Sequence, residues 1–321
     1  MLERFLLLWL TLLGLLAYGW TEWLPAVRDP FVGSQPYLDW LIAATMFAIG
    51  SLLPRDEVRQ VARQWPMVFG GTAIQYLSMP VLAYGIGRLF GFEGPTLVGV
   101  IMVGCVPGAM ASNVLTLAAR GNVSYSVSLT TSATLLSPLM VPLALKCALG
   151  QWKPFPAGEV SLSLLTTVVL PVVAGHMLSR MYRPFEAVAR RVGSTVANLT
   201  ILWIIAVVVA LNRERLAHID AAILWALLAV NLAGYLAGYG GGRLLRLPRP
   251  MRRALTLEVG MQNAGLGTWL VLKVFEDEPT TAIPTAIYTF GCMFTGTILA
   301  RLWAEFGRPG ADREDCEAAS G

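Results

Sequence analysis

The sequence has few charged residues for its length. Of 321 residues, 14% are charged and 55% are hydrophobic, and the mean hydropathy is +0.61. Soluble domains carry about 25% charged residues, so this composition excludes an ordinary soluble domain. Long apolar runs recur along the whole chain, which predicts a polytopic helical membrane protein; a membrane β-barrel would show short alternating segments. No hydrophilic block is long enough for a second, soluble domain.

Side chains that bind metals or carry out redox chemistry are also scarce. There are two histidines, and the four cysteines show no CxxC or CxxH spacing, which argues against zinc, iron–sulfur or disulfide frameworks. An integral membrane enzyme would need a nucleophile–base or metal-ligand set, so we expect neither an enzyme nor an organic cofactor. The net charge of +4 fits the excess of basic residues that membrane proteins carry in their cytoplasmic loops, and it indicates no nucleic-acid partner.

Ten apolar stretches are long enough to cross a lipid bilayer. They cover about residues 4–20, 37–53, 66–90, 94–119, 122–148, 160–181, 194–212, 219–243, 253–275 and 280–303. The first resembles a signal peptide, but no small-residue cleavage site follows, so we expect a retained span. With ten spans, 17 of the 24 basic residues fall on the side that holds both termini. The positive-inside rule therefore predicts cytoplasmic N- and C-termini.

The two halves of the chain, about residues 4–148 and 160–303, show a matching interruption. "GCVPGAMASN" interrupts span 4, and "VGMQNAGLG" interrupts span 9 at the same offset within its half. Five spans per half place the second half in the bilayer with inverted orientation. Paired broken helices in an inverted repeat indicate a transporter site near the bilayer midplane. We expect one membrane transporter domain over residues 1–321, with residues 304–321 as a short cytoplasmic tail.

Among the 20 acidic residues, Glu258 alone lies well inside a predicted span. A charged side chain at the bilayer centre is costly and therefore rare without a function. No Lys or Arg lies at comparable depth in the predicted spans. Glu258 therefore needs a mobile cation, a proton or a cluster of neutral hydrogen-bonding partners.

Candidate partners of Glu258 are rich in oxygen. The side chains are Gln75 in span 3, Ser112 and Asn113 in span 4, Ser126 and Thr130 in span 5, and Gln262 in span 9. On a helix, Glu258 and Gln262 share a face at i,i+4, as do Ser126 and Thr130. The glycine-containing break could also expose the backbone oxygens of Val259 and Met261. One carboxylate among amide, hydroxyl and backbone oxygens predicts a site for a hard monovalent cation.

Two segments resemble a known family. "GCVPGAMASNVLTLAARGNVSYSVSLTTSATLLSPL" together with "LEVGMQNAGLG" resembles the bile acid:sodium symporter family, of the apical sodium-dependent bile acid transporter type, as a bacterial homologue. The resemblance covers nearly the whole chain. It implies an all-α polytopic membrane protein of ten transmembrane helices in two inverted five-helix repeats. These would form a panel and a core domain in the cell inner membrane, with broken helices 4 and 9 crossing in the core.

The resemblance also implies ligands for two coupling sodium ions. One site would use Ser112, Asn113, Ser126, Thr130 and Glu258. The second would use Gln75, Glu258, Gln262 and the backbone oxygens of Val259 and Met261. Asn263 matches a position near the organic anion. Two substrate positions depart from relatives, since Met110 replaces a small hydroxyl residue and Cys292 replaces a histidine that some relatives carry.

These observations together predict sodium-coupled symport of an organic anion by alternating access. The anion would be bile acid-like or another carboxylate or sulfonate, and the sequence does not identify it. The alternative is a proton-coupled organic anion transporter or antiporter in which Glu258 carries the proton. The expected partners are sodium ions, the organic anion and the lipid bilayer, and the oligomeric state stays open.

Overall fold

The computed structural model describes residues 6–54, 57–149, 155–217 and 220–306, and helices dominate these ranges. The helices are α1 (Leu6–Trp23), α2 (Pro30–Gly33), α3 (Leu38–Leu52), α4 (Glu57–Arg63), α5 (Trp65–Leu89), α6 (Gly94–Cys105), α7 (Ala111–Ala118), α8 (Val123–Leu149), α9 (Ala157–Leu164), α10 (Leu170–Met181), α11 (Arg183–Leu211), α12 (Arg213–Leu216), α13 (Ala221–Leu244), α14 (Arg249–Gly260), α15 (Ala264–Val274) and α16 (Ile283–Phe306). The start of predicted span 1 and most of the predicted tail lie outside the described residues.

Five of these helical segments are long and apolar enough to cross a membrane. They are Val123–Leu149, Ala157–Met181, Arg183–Leu211, Ala221–Leu244 and Pro279–Glu305. The short apolar helices Gly94–Cys105 and Ala264–Val274 belong to the two interrupted spans. Within the described residues, each predicted span overlaps one helix or consecutive helices.

Two predicted spans differ from the observed helices in an informative way. Helix α11 begins at Arg183 rather than near residue 194, because Pro184 fits the first turn and Glu186 pairs with Arg190 one turn later. These polar residues extend the helix beyond the apolar stretch. Span 6 is divided by a π-helical turn, Leu165–Val169, which the hydropathy pattern does not reveal.

The helices pack as two groups. In the first bundle, α3 contacts α10 and α11, and α11 contacts α1. Gly50 of α3 and Gly175 of α10 allow this close packing, since a Cβ on either would overlap a backbone carbonyl of the facing helix. The second bundle contains α5 to α8 and α13 to α16.

The two interrupted spans of the second bundle cross each other. The end of α7 lies beside the start of α14, where the Asn122 amide donates to the Pro250 carbonyl at 2.9 Å. Arg253 also donates to the Ala119 carbonyl at 3.0 Å. At the opposite end, α6 and α15 both contact the turn Pro279–Ala282. The two spans therefore run in opposite directions and meet at their breaks.

Candidate functional site

The two breaks contact each other through their backbones. Gly108 and Gln262 form an antiparallel bridge. Beside it, the Ala109 amide donates to the Met261 carbonyl at 2.7 Å, and the Asn263 amide donates to the Pro107 carbonyl at 2.8 Å. Interrupted helices leave polar backbone groups that lipid cannot satisfy. The crossing satisfies part of that need by pairing one break with the other.

Four half-helix ends converge at this crossing. Helices α6 and α14 end here at Cys105 and Gly260, and α7 and α15 begin here at Ala111 and Ala264. Helix C-termini carry partial negative charge and N-termini carry partial positive charge. The crossing therefore offers favourable positions for both cations and anions within the second bundle.

Glu258 lies in the last turns of α14 and is 1% exposed. Ser112 Oγ donates to its Oε2 at 2.5 Å, and Thr130 Oγ1 donates to its Oε1 at 2.7 Å. Among the residues that the structure describes, no Lys or Arg forms an ion pair with this carboxylate. Hydrogen bonds from two hydroxyls compensate only part of the hydration free energy that a buried carboxylate loses. The carboxylate therefore retains capacity to accept a cation.

The hydroxyl groups around Glu258 extend along α8. Thr130 Oγ1 also lies 3.1 Å from the Ser126 carbonyl, as expected for i,i+4 neighbours, so the predicted shared face of these residues is observed. Ser126 Oγ lies 3.3 Å from Thr116 Oγ1 of α7. Asn113 is buried nearby on α7, and its Oδ1 has no hydrogen-bond donor in the described part of the chain.

The second predicted group of ligands lies along the break of span 9. Gln75 Nε2 donates to Gln262 Oε1 at 3.3 Å, and Gln262 Nε2 donates to the Val259 carbonyl at 2.6 Å. The prediction that Glu258 and Gln262 share a helix face is wrong, because α14 ends at Gly260 and Met261 is extended (φ −113°, ψ 93°). The predicted carbonyls of Val259 and Met261 already accept hydrogen bonds, from Gln262 and Ala109.

These atoms suit a small, hard cation. The amide oxygens of Gln75 and Asn113 are buried and accept no hydrogen bond within the described residues. Buried acceptors without a donor are uncommon and require an explanation such as an ion. Carboxylate, amide and backbone carbonyl oxygens are the kinds of ligand that hard cations prefer.

A cavity of about 440 Å³ lies between the two bundles. Its walls include Leu10, Leu52 and Ile201 of the first bundle. From the second bundle, the predicted substrate residues Met110, Asn263 and Cys292 all line it, and Asn113 and Gln262 also reach it. Most of the lining is apolar. The cavity therefore touches both the predicted cation ligands and the predicted anion position.

Asn263 has a structural role beside the cavity. Its Oδ1 accepts from the Leu266 amide at 3.1 Å and so caps the N-terminus of α15. The cap uses only the side-chain oxygen, so the side-chain NH2 group of Asn263 remains able to donate hydrogen bonds. A cap of this kind holds the amide at the positive end of α15, where an anion is favoured.

Sequence reasoning missed three residues at the crossing. A Cβ on Gly108 would overlap the Glu258 carboxylate, so this glycine supplies the space that the carboxylate occupies. Asn231 Nδ2 and Tyr288 OH each donate to the Gly260 carbonyl at 2.7 Å. Asn231 is detectable as an amide within the apolar stretch "LLAVNLAGYL", whereas nothing in the local sequence distinguishes Tyr288 from an ordinary buried aromatic residue.

Crossed broken helices around a buried carboxylate, next to a cavity between two bundles, define the class of an integral membrane protein built like a secondary transporter. Comparison with known sequences gives the family. The profile of the Sodium Bile acid symporter family matches residues 40–219, and the chain belongs to this family.

Similar proteins come from bacteria, plants and animals. "Uncharacterized sodium-dependent transporter YocS" of Bacillus subtilis (strain 168) is 35% identical over 278 residues, which are 86% of this chain and 85% of that protein. "Probable sodium/metabolite cotransporter BASS1, chloroplastic" of Arabidopsis thaliana is 30% identical over 83% of this chain and 67% of its own length. "Ileal sodium/bile acid cotransporter" of Oryctolagus cuniculus is 30% identical over 81% of this chain and 78% of its own length.

Proposed function

We propose that this protein is a sodium-coupled symporter that imports an organic anion by alternating access. The observation that carries the proposal is Glu258, a buried carboxylate that meets two hydroxyls and no basic partner among the described residues. Orphaned amide oxygens of Gln75 and Asn113 lie in the same bundle. Membership of the family, and the names of relatives that describe them as sodium-dependent transporters or sodium cotransporters, support sodium as the coupling ion.

Two sodium ions would share Glu258. The first would bind Glu258, Ser112 and Thr130, which are already in contact, with Asn113 and Ser126 completing the site. The second would bind Gln75, Gln262, Glu258 and the carbonyls of Val259 and Met261. The direct links among Gln75, Gln262 and Val259 support this grouping. Rotation of the Gln262 amide would release the Val259 carbonyl and present an oxygen to the ion.

The proposed architecture is ten spans in two inverted five-span repeats that form a panel and a core. The pairing of helices supports it, because contacts between α5 and α6 have their counterpart between α13 and α14. Likewise, the contact of α8 with α14 matches that of α16 with α6. The first bundle would be the panel, and the second would be the core that moves against it.

The cavity between panel and core supports an organic anion as substrate. The amide of Asn263 and the N-terminus of α15 offer hydrogen-bond donors to a carboxylate or sulfonate. Met110 and Cys292 make the same wall less polar than a hydroxyl and an imidazole would. This combination favours an anion with a sizeable apolar body.

The proposed orientation has both termini in the cytoplasm and the protein in the inner membrane. The cavity is lined by Leu52 at the end of α3, Ser194 in the first half of α11 and Thr297 in the second half of α16. These positions lie toward the side of the protein that holds most of the basic residues. Because the positive-inside rule assigns that side to the cytoplasm, the described conformation would be open to the cytoplasm. Two Na⁺ with a monoanion would carry one net positive charge inward per transport cycle, and a potential of 100 mV would contribute roughly 2.3 kcal/mol to each cycle.

The test compares purified wild-type protein with Glu258→Ala in NaCl and in KCl at equal ionic strength. An ion that binds only the folded state raises the melting temperature by mass action. We expect sodium to stabilise the wild type and to have no specific effect on the variant, which should also lose sodium-driven uptake while still being expressed. If neither protein distinguishes Na⁺ from K⁺ over a wide concentration range, sodium coupling is wrong, and a Glu258 proton carrier becomes the better hypothesis.

A further inference from the structure

The carbonyl of Gly260 is held from outside its own helix. Gly260 is the last residue of α14, and the final carbonyls of a helix have no intrahelical partner. Asn231 of α13 and Tyr288 of α16 each donate to this oxygen at 2.7 Å, and their own polar atoms lie 3.4 Å apart. Both side chains are buried. Two donors from two different helices therefore fix one backbone oxygen at the break.

A second layer of hydrogen bonds orients the Asn231 amide. Thr295 Oγ1 lies 2.7 Å from Asn231 Oδ1 and donates to it, so the NH2 group of Asn231 is directed at Gly260. Tyr235 OH lies 3.1 Å from Thr295 Oγ1. The ring of Tyr235 also packs on Gly260 itself, since a Cβ on Gly260 would overlap that ring. The network therefore restrains both the position and the orientation of this peptide.

The carbonyl of Met261 lies on the other side of the chain. Met261 is extended, and successive carbonyls of an extended segment point in roughly opposite directions. The Gly260 oxygen meets α13 and α16, whereas the Met261 oxygen meets the Ala109 amide of the first break. Fixing the first oxygen therefore sets the direction of the second.

We propose that Asn231 and Tyr288, supported by Thr295, are positioning residues for sodium binding. They touch no ion. By holding the Gly260 carbonyl toward α13 and α16, they keep the carbonyl of Met261 aimed at the second sodium site. This inference rests on the proposed function, because it assigns a role in tuning that site.

The test measures the sodium concentration that gives half-maximal thermal stabilisation, with KCl keeping the ionic strength constant. Tyr288→Phe and Thr295→Val each remove one hydroxyl at nearly constant shape. We expect both to raise the half-maximal concentration roughly tenfold, the order seen when outer-shell partners of a metal site are removed. Thr295→Ser keeps the hydroxyl donor, so its half-maximal sodium concentration should stay close to that of the wild type.

The matched control is Tyr125→Phe. Tyr125 is also buried, and its hydroxyl donates at 2.8 Å to the Met67 carbonyl in the first turn of α5 rather than to the Gly260 carbonyl. This variant should melt earlier in KCl and yet keep the wild-type sodium concentration for half-maximal effect. A merely structural role of Tyr288 and Thr295 would give the same pattern as this control.

The outcomes separate this inference from the proposed function. A sodium-responsive wild type together with Tyr288→Phe and Thr295→Val that respond at the wild-type concentration would overturn the positioning role and leave sodium coupling intact. A wild type without any sodium response would overturn the proposed function, and the positioning role with it. The inference is supported if Tyr288→Phe and Thr295→Val both need a higher sodium concentration for half-maximal stabilisation, while Thr295→Ser and Tyr125→Phe keep the wild-type value.

Discussion

The break in span 4 and the break in span 9 are built by different means. In span 4, the chain leaves the helix at Val106 and re-enters it at Ala111, with Pro107 and Gly108 between them. Proline lacks the amide that a helix would use, and the absent side chain of Gly108 leaves room for Glu258. The shape of this break therefore follows from the proline ring and from the missing side chain of the glycine.

The break in span 9 contains no proline and is held by hydrogen bonds. Gln262 donates to the Val259 carbonyl, Asn263 caps α15, and Asn231 and Tyr288 hold the Gly260 carbonyl. The difference indicates a division of roles, in which the first break supplies space and backbone groups and the second supplies charge and orientable amides. Substitutions in the first break should therefore act through sterics, and those among the partners of the second through lost hydrogen bonds.

Gly108→Ala is the strongest steric test of this difference. The added methyl would take the space of the Glu258 carboxylate and push it away from Ser112 and Thr130. We expect loss of sodium-specific thermal stabilisation and of uptake, close to the effect of Glu258→Ala. Gly85→Ala is the control, because a Cβ there has no neighbour within 4 Å. Full sodium response in Gly108→Ala would show that the break does not depend on this space.

Ser112→Ala and Thr130→Val test the hydrogen-bonding contribution. Each variant removes one hydroxyl from Glu258, and hydrogen bonds to charged groups contribute about 1.5–3 kcal/mol. The sodium concentration for half-maximal stabilisation should rise about 10- to 100-fold. Ser128→Ala is the matched control on α8, because the Ser128 hydroxyl is buried without a partner among the described residues. Equal effects in all three variants would argue against a direct role for Ser112 and Thr130.

Met110→Ser should have the smallest effect on sodium. Met110 adjoins the first break and lines the cavity, but it is not among the proposed sodium ligands. We expect the sodium requirement to stay within about twofold of the wild-type value, while the preferred anions in a thermal-shift screen of carboxylates and sulfonates become smaller and more polar. An unchanged anion profile would remove Met110 from the substrate site.

The sequence predicted the parts of the site that have a strong local signature. Glu258 is conspicuous because a carboxylate inside an apolar stretch is costly, and the segments before Ser112 and after Glu258 both contain helix-weakening residues. The spacing of Ser126 and Thr130 was interpreted correctly because α8 is continuous through both residues. Regular helix geometry makes such neighbours predictable.

The remaining features depend on contacts that local patterns do not encode. Gln262 was assigned to the wrong face because the end of α14 at Gly260 follows from interactions with the other break and with α13 and α16. A buried polar residue such as Asn231 looks the same in sequence whether it bonds within its own helix or reaches a neighbour. The importance of Gly108 follows from the position of Glu258, which lies 150 residues further along the chain.

In the proposed transport cycle, the buried carboxylate of Glu258 would set the charge that the protein itself moves. With two Na⁺ and a monoanion bound, the site would be neutral, because the carboxylate and the anion offset the two ions. Once they leave, an empty carrier with Glu258 ionised would return with one negative charge, whereas one with Glu258 protonated would return uncharged. In the first case, a membrane potential that is negative inside would act on the return of the empty carrier, and exchange of bound substrate across the membrane should be almost independent of voltage.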